Sequence, residues 1–141
     1  MIDGRTKEDI ATHTLRPVVY IAGKYRDTHE RLVAKNVYVA NSVAFQLWEM
    51  GYAGICPHTN TDRFQSPELS STHILEGYLE IVKRCDCVVM LPNWNQSEGA
   101  KAEFELAIHL GLPVYHWPDH VDVLRSKIEE FKKTKDLKVL A

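Results

Sequence analysis

Several features are scarce in this sequence, and each scarcity removes a class of function. Of 141 residues only three are cysteine, Cys56, Cys85 and Cys87. An odd number with no C-x-x-C pair suits neither a disulfide frame nor a thiolate zinc site, so buried free thiols in a reducing compartment are expected. No apolar run approaches the roughly 20 residues needed to span a bilayer, and no charged-then-apolar leader opens the chain. The expectation is a cytoplasmic protein with no membrane partner. Seventeen basic residues stand against nineteen acidic ones, a formal net charge of -2, which leaves no chain-wide basic footprint for a nucleic-acid polymer. The one basic run, Lys132, Lys133, Lys135 and Lys138, is interrupted by Asp136 and reads as a solvated helix end. Absent as well are G-x-G-x-x-G, G-x-x-x-x-G-K-[ST], a Ser/His/Asp order and any metal-ligand cluster, so neither a cofactor nor a metal is expected. There is no internal repeat and no low-complexity segment.

What is present is a regular alternation. The length suits one domain. Residues 1–16 mix charge, Thr and His without a period and read as an N-terminal arm, and Pro17 keeps helix from running onward. The domain is expected over 17–141. Short, partly β-branched runs at Val18–Ala22, Ala53–Cys56, Cys87–Leu91 and Val114–Trp117 predict buried strands, and Leu137–Leu140 is either a fifth strand or a tail. Between them lie helical patterns. The first carries Val33, Val37, Ala40, Val43, Ala44 and Leu47 and stops at Gly51; the second is capped by Ser70, Ser71 or Thr72 and carries Ile74, Leu75, Tyr78, Leu79 and Val82. A third starts near Gly99, and a last one turns Val121, Leu124, Ile128 and Phe131 inward. Strands alternating with helices predict an α/β fold: one three-layer domain with a parallel, flavodoxin-like (Rossmann-like) sheet of four to five strands.

Such sheets bind ligands where the strands end, and three loops meet there: Gly23 to Asp27, His58 onward, and Asn93 to Glu103. The third is the most informative. Steps of three and four from Glu103 reach Leu106, Ala107 and Leu110, which sets this carboxylate on an apolar stripe, whereas Glu98 and Glu105 share a solvated face with Lys101 and His109. Burying an unpaired carboxylate costs several kcal/mol or raises its pKa, so Glu103 needs a partner or a purpose. The turn Gly23-Lys24-Tyr25-Arg26-Asp27 is able to cradle a phosphate and reads equally as a plain strand-to-helix turn. His58 opens a polar stretch reaching Ser71, long for an αβ connection, and is a candidate for the pocket wall. Tyr78 packs most simply as core with its hydroxyl reaching a partner at one edge. Carboxylate chemistry or binding alone remains, and a carboxylate can attack an anomeric carbon to form a glycosyl-enzyme intermediate.

Three sequence features, Tyr20-Ile21-Ala22-Gly23 with Arg26, Cys85-Asp86, and Trp94-x-x-Ser97-x-Gly99-Ala100-x-x-Glu103-x-x-x-Ala107, give the chain from Val18 to Tyr115 its resemblance to the nucleoside 2-deoxyribosyltransferase-like superfamily. That superfamily includes nucleoside 5'-monophosphate N-glycosidases. The resemblance implies that Glu103 is the nucleophile at C1' of a ribosyl or deoxyribosyl group. It implies that Ser97 and Gly99 hold the phosphate or 5'-hydroxyl and that Gly23 and Arg26 meet sugar, base or phosphate; Tyr25 in the same turn and Trp94 in the last motif are further binding candidates, and Tyr20 matches by position while reading at least as well as a core strand aromatic. One departure stands out: relatives carry an aspartate where this chain has Tyr78, which makes Tyr78 a catalytic position of altered chemistry. The departure is open to three readings: a different substrate, another acid such as Glu76 or Asp62 brought in by the loop, or lost catalysis. The expected function is cleavage or exchange of the base of a nucleotide or nucleoside. Two alternatives stay open, a nucleotide-binding module without turnover and a purely structural Glu103 paired with Arg26 or a backbone N–H. Trp48, Trp94 and Trp117, together with the superfamily's habit of building sites across subunits, point to a homo-oligomer.

Overall fold

The computed structural model describes residues 3–61 and 68–141. In chain order the elements are α1 (Lys7–Thr12), β1 (Val18–Ala22), α2 (Glu30–Met50), β2 (Ala53–Ile55), α3 (Pro57–Asn60), α4 (Ser71–Lys83), β3 (Cys87–Met90), α5 (Glu98–Leu110), β4 (Val114–His116) and α6 (Val121–Thr134). Single 3-10 turns occupy Trp94–Gln96 and Leu137–Leu140. The four strands are all parallel in the order β2-β1-β3-β4. The fold is therefore α/β, a flavodoxin-like three-layer arrangement.

The central strands are apolar throughout because both of their faces are covered. Tyr20 pairs with Val88 and Ile21 with Val89, and the period of two sends neighbours to opposite layers. Val19, Ile21, Cys87 and Val89 pack with Leu47, Leu124, Ile128 and Phe131 of α2 and α6. Tyr20, Ala22, Val88 and Met90 pack with Tyr78 and Val82 of α4 and Ala107 of α5. α6 thus belongs to the same core as the strands. At the lower rim Asp86 ties β1 to β3: its carboxylate accepts from the Val18 N–H at 2.7 Å, and its own N–H donates to the Val18 carbonyl at 2.8 Å. The Cys85-Asp86 pair accordingly lies at the opposite end of the sheet from the loops that meet at the site. Among the described residues no helix is long and apolar enough to cross a membrane.

Several expectations are corrected. The N-terminal arm contains a helix, α1, held by a capping box between Thr6 and Asp9. It buries no residue, so it leaves no hydrophobic period to read. The stretch after β2 is not all loop, since Pro57 starts α3 as Pro does at a first helical position. Leu137–Leu140 is a 3-10 turn rather than a strand, with Leu140 buried and its carbonyl accepting from the Tyr115 hydroxyl. Leu110, expected on the buried stripe of α5, is 44% exposed as the last residue of that helix. Asp62 lies outside the described residues.

β1 and β3 are neighbours, yet the chain leaves β1 toward β2 on one side and continues from β3 to β4 on the other. That reversal of direction is a topological switch point, and it opens a crevice above the C-terminal ends of the two strands. The loops on either side are pressed together. A Cβ placed on Gly23 would lie 2.6 Å from Leu91 Cδ1, so only glycine lets the loop after β1 approach the end of β3 this closely.

Candidate active site

A cleft of about 580 Å³ lies at this switch point. Its walls come from the loop after β1 (Gly23, Lys24, Tyr25, Arg26), from α3 and its end (Pro57, His58, Thr61), from the start and first turns of α4 (Ser71, Thr72, Ile74, Leu75, Tyr78), and from the start of α5 (Ser97, Glu98, Gly99, Ala100, Glu103) with Gln96 before it. The structure thus brings together Gly23, Tyr25, Arg26, His58, Tyr78, Ser97, Gly99 and Glu103. Tyr20 does not line the cleft; it is wholly buried behind it. Trp94 points elsewhere, its ring 4.6 Å from that of Phe104 and 6.1 Å from that of His116. The 3-10 turn that carries Trp94 faces it toward β4, away from the cleft.

Glu103 sits in the second turn of α5, which begins at a Ser97 cap whose Oγ accepts from the Ala100 N–H at 3.1 Å. Its side chain is 6% exposed, and its Oε2 accepts from the Tyr20 hydroxyl. Burial lifts the Glu103 carboxyl to about 7, against the opposing pull of the Tyr20 hydrogen bond. Tyr20 is driven upward by its own burial and by the adjacent carboxylate, so its hydroxyl stays protonated and donates. Arg26 bonds the Ser71 hydroxyl instead of Glu103, so the ion pair left open by the sequence is not formed.

His58 is 3% exposed. Its Nε2 lies 2.9 Å from the Lys24 carbonyl, an acceptor only, which places the ring hydrogen on Nε2. Its Nδ1 has no partner among the described residues. Burial lowers the pKa of His58, keeping the ring uncharged, and its edge meets Tyr25 at 5.7 Å between centroids. Tyr78 hydrogen-bonds Thr61 Oγ1 at 2.8 Å and the Pro57 carbonyl at 3.1 Å, with Asn60 Nδ2 donating to it at 3.3 Å. Its hydroxyl therefore fastens α3 to α4, while the ring stands edge-on to Tyr20 at 6.3 Å.

Lys24, Thr61 and Gln96, which the sequence places in the three converging loops without singling them out, line the cleft, as do Ser71 and Thr72. Lys24 Nζ reaches Asp27 at 3.2 Å and Gln96 Oε1 at 3.3 Å, clamping the first loop to the third. Ser71 and Thr72 were readable only as helix caps. Their position means that two helix starts, those of α4 and α5, open on one cleft, an arrangement that favours an anion between them.

The sequence profile of a family described as "Domain of unknown function (DUF4406)" matches residues 17–116. The chain belongs to the DUF4406 family. The DUF4406 match takes in all four strands, from the residue before β1 to the last of β4, and every cleft residue named above; α1 and α6 fall outside it. No curated protein matches the chain significantly.

Proposed function

We propose that the protein is a nucleoside 2-deoxyribosyltransferase-like enzyme that cleaves or exchanges the base of a nucleoside 5'-monophosphate or nucleoside through a glycosyl intermediate on Glu103. The observation that carries this reading is the buried Glu103 carboxylate, aligned by one tyrosine hydroxyl, at the switch-point cleft of a parallel sheet. With Oε2 held by Tyr20, Oε1 is the oxygen free to attack C1'. Burial lifts the Glu103 pKa to about 7, and the positive charge that develops on the sugar in the transition state favours the ionised form. Arg26, the Ser97 hydroxyl and the backbone at Gly99 supply donors for a 5'-phosphate between the starts of α4 and α5. Gly23, Tyr25, His58 and Tyr78 supply the walls for sugar and base.

The test is a panel of nucleoside 5'-monophosphates with chromatographic detection of free base, for the wild-type chain and Glu103→Gln. Release that depends on Glu103 and falls when the phosphate is removed is the expected outcome. Absence of release from every nucleotide, with or without an acceptor base, overturns the reading. One observation favours a second reading, binding without turnover: the Tyr78 hydroxyl is directed to Thr61 and Pro57 and contributes no acid to the cleft. Calorimetry that shows nucleotide binding without base release would select it. The proposal includes a homo-oligomer, supported by Tyr38, Phe45 and Trp48, which are 75%, 65% and 50% exposed along α2. A monomer in light scattering would remove that part.

A further inference from the structure

The longest helix is packed into the core along only half its length. α2 runs for 21 residues, about 31 Å, and its buried side chains begin at Ala40. Its outward side carries an aromatic stripe, Tyr38, Phe45 and Trp48, within about 80° of arc. Small exposed side chains, Ala34, Asn41 and Ser42, stand between and beside these rings. Trp48 is a fixed anchor: its Nε1 donates to the Gly54 carbonyl at 3.2 Å, and the Arg16 guanidinium lies 5.8 Å from its ring centroid. Half of the Trp48 side chain nevertheless faces outward. Toward the other end of the helix a groove of about 560 Å³ is lined by Glu30, Val33, Ala34 and Val37. Ala34 and Trp48 lie on the same side of α2, about 21 Å apart along its axis. The exposed charges are divided in the same sense, with Arg31 and Lys35 in the first half and Glu49 in the last turn. A surface whose two ends complement each other meets its own complement in a copy turned about a two-fold axis.

We propose that a second copy of this chain docks on this face, its α2 antiparallel to the first about a two-fold axis between Asn41 and Ser42, and that the contact braces the cleft loop. The inference rests on the homo-oligomer part of the reading above. In this register Tyr38 of each copy packs against Phe45 of the other, and Trp48 of each enters the other's groove beside Ala34. Lys35 meets Glu49, and Arg16, carried with Trp48, approaches Glu30. Aromatic anchors seated in a groove with opposite charges at the rim are what a specific interface needs. The bracing follows from where α2 starts. It begins just after the loop that lines the cleft, and Asn36 Nδ2 donates to the Tyr25 carbonyl at 3.2 Å and to Asp27 at 3.4 Å. Residues 30–39, which hold this loop, are all exposed or only partly buried. A copy seated on them supplies the packing that this half of the helix does not draw from its own core.

The experiment is sedimentation velocity on the intact chain over a range of concentrations. Wild type is compared with Phe45→Glu, Lys35→Glu, Glu49→Lys and the variant carrying both charge reversals, each checked for folding by thermal melting. Ile108→Glu, on the exposed side of α5, is the control. Wild type is expected to dimerise, Phe45→Glu to weaken the dimer by about thirtyfold or more, the scale of a lost anchor, and Ile108→Glu to leave it unchanged. Each single charge reversal should weaken the dimer and the double reversal restore it, because an antiparallel pair sets residue 35 of one copy against residue 49 of the other. Amide hydrogen exchange in residues 24–28 should quicken in Phe45→Glu. A wild-type monomer at every concentration overturns both this inference and the homo-oligomer reading. A dimer that Phe45→Glu does not weaken, or that the double reversal does not restore, overturns this inference and leaves the homo-oligomer standing. Exchange in residues 24–28 that is unchanged on dissociation overturns the bracing.

Discussion

Four buried tyrosines, two in each layer of the molecule, do different work. On the α2 and α6 side, the Tyr52 hydroxyl donates to the Leu124 carbonyl at 2.8 Å and the Tyr115 hydroxyl to the Leu140 carbonyl. Each closes a backbone acceptor inside an otherwise apolar core, the usual way to satisfy a polar tip in a dry interior. On the α4 and α5 side, Tyr20 donates to a carboxylate and Tyr78 to the end of α3. One layer uses its hydroxyls to seal the fold, and the other uses one of them to hold an acid in place. Among the described residues the sealed layer's core cluster includes no Asp, Glu, Lys, Arg or His; the other layer retains Glu103 at an energetic cost, which stability alone does not explain.

The comparison breaks most sharply at Glu103. Glu103→Gln is expected to lower base release by about a thousandfold or more, the usual scale for loss of a nucleophile, whereas Tyr52→Phe in the sealed layer leaves the rate within a few-fold; steady-state kinetics on both variants decides. The same variant has an opposite effect on stability. The folded pKa of about 7 lies above the ordinary 4.5, so the folded state holds the extra proton between these values. This contribution is complete below about pH 4.5 and is lost as the pH climbs through 7. Above neutrality Glu103→Gln is therefore expected to be more stable than wild type, by on the order of 3 kcal/mol. Near pH 4 the difference should vanish. Denaturant melts at the two pH values measure it, and equal differences at both would show that ionisation of Glu103 is not costly.

Tyr20→Phe removes the bond that favours the carboxylate, so the Glu103 pKa is expected to rise further and the ascending limb of kcat/KM against pH to move to higher pH. Tyr115→Phe, a hydroxyl loss in the other layer, should leave that limb in place, and a shift in both would erase the contrast. Tyr78→Phe has the smallest expected effect, a loss of about 1 kcal/mol of stability from a neutral hydrogen bond. Proteolysis within α3 should become faster in that variant.

The sheet was readable because β1 and β3 are covered on both faces and so appear as uninterrupted apolar runs, and Glu103 because it breaks the apolar period of α5. Side-chain direction at the loops was not. Trp94 shares a motif with Ser97, Gly99 and Glu103, yet a single 3-10 turn sends it to the far side of α5. The roles of Ser71 and Thr72 were hidden for a related reason, since a cap is visible in sequence while the direction in which its helix opens is a tertiary property. α1 and the turn at Leu137–Leu140 escaped for opposite reasons. The first buries nothing, and the second has the apolar content of a strand, which it spends on burying Leu140 in a 3-10 turn.

The stacking of Trp94 on Phe104 also makes the helix that carries Glu103 optically addressable. Phe104 is the residue after Glu103, so a shift of α5 when the cleft fills would change the environment of the Trp94 indole and hence its emission. With Trp48 and Trp117 replaced by phenylalanine, fluorescence from Trp94 alone would follow occupancy in real time without a label, and would do so for ligands that bind without reacting.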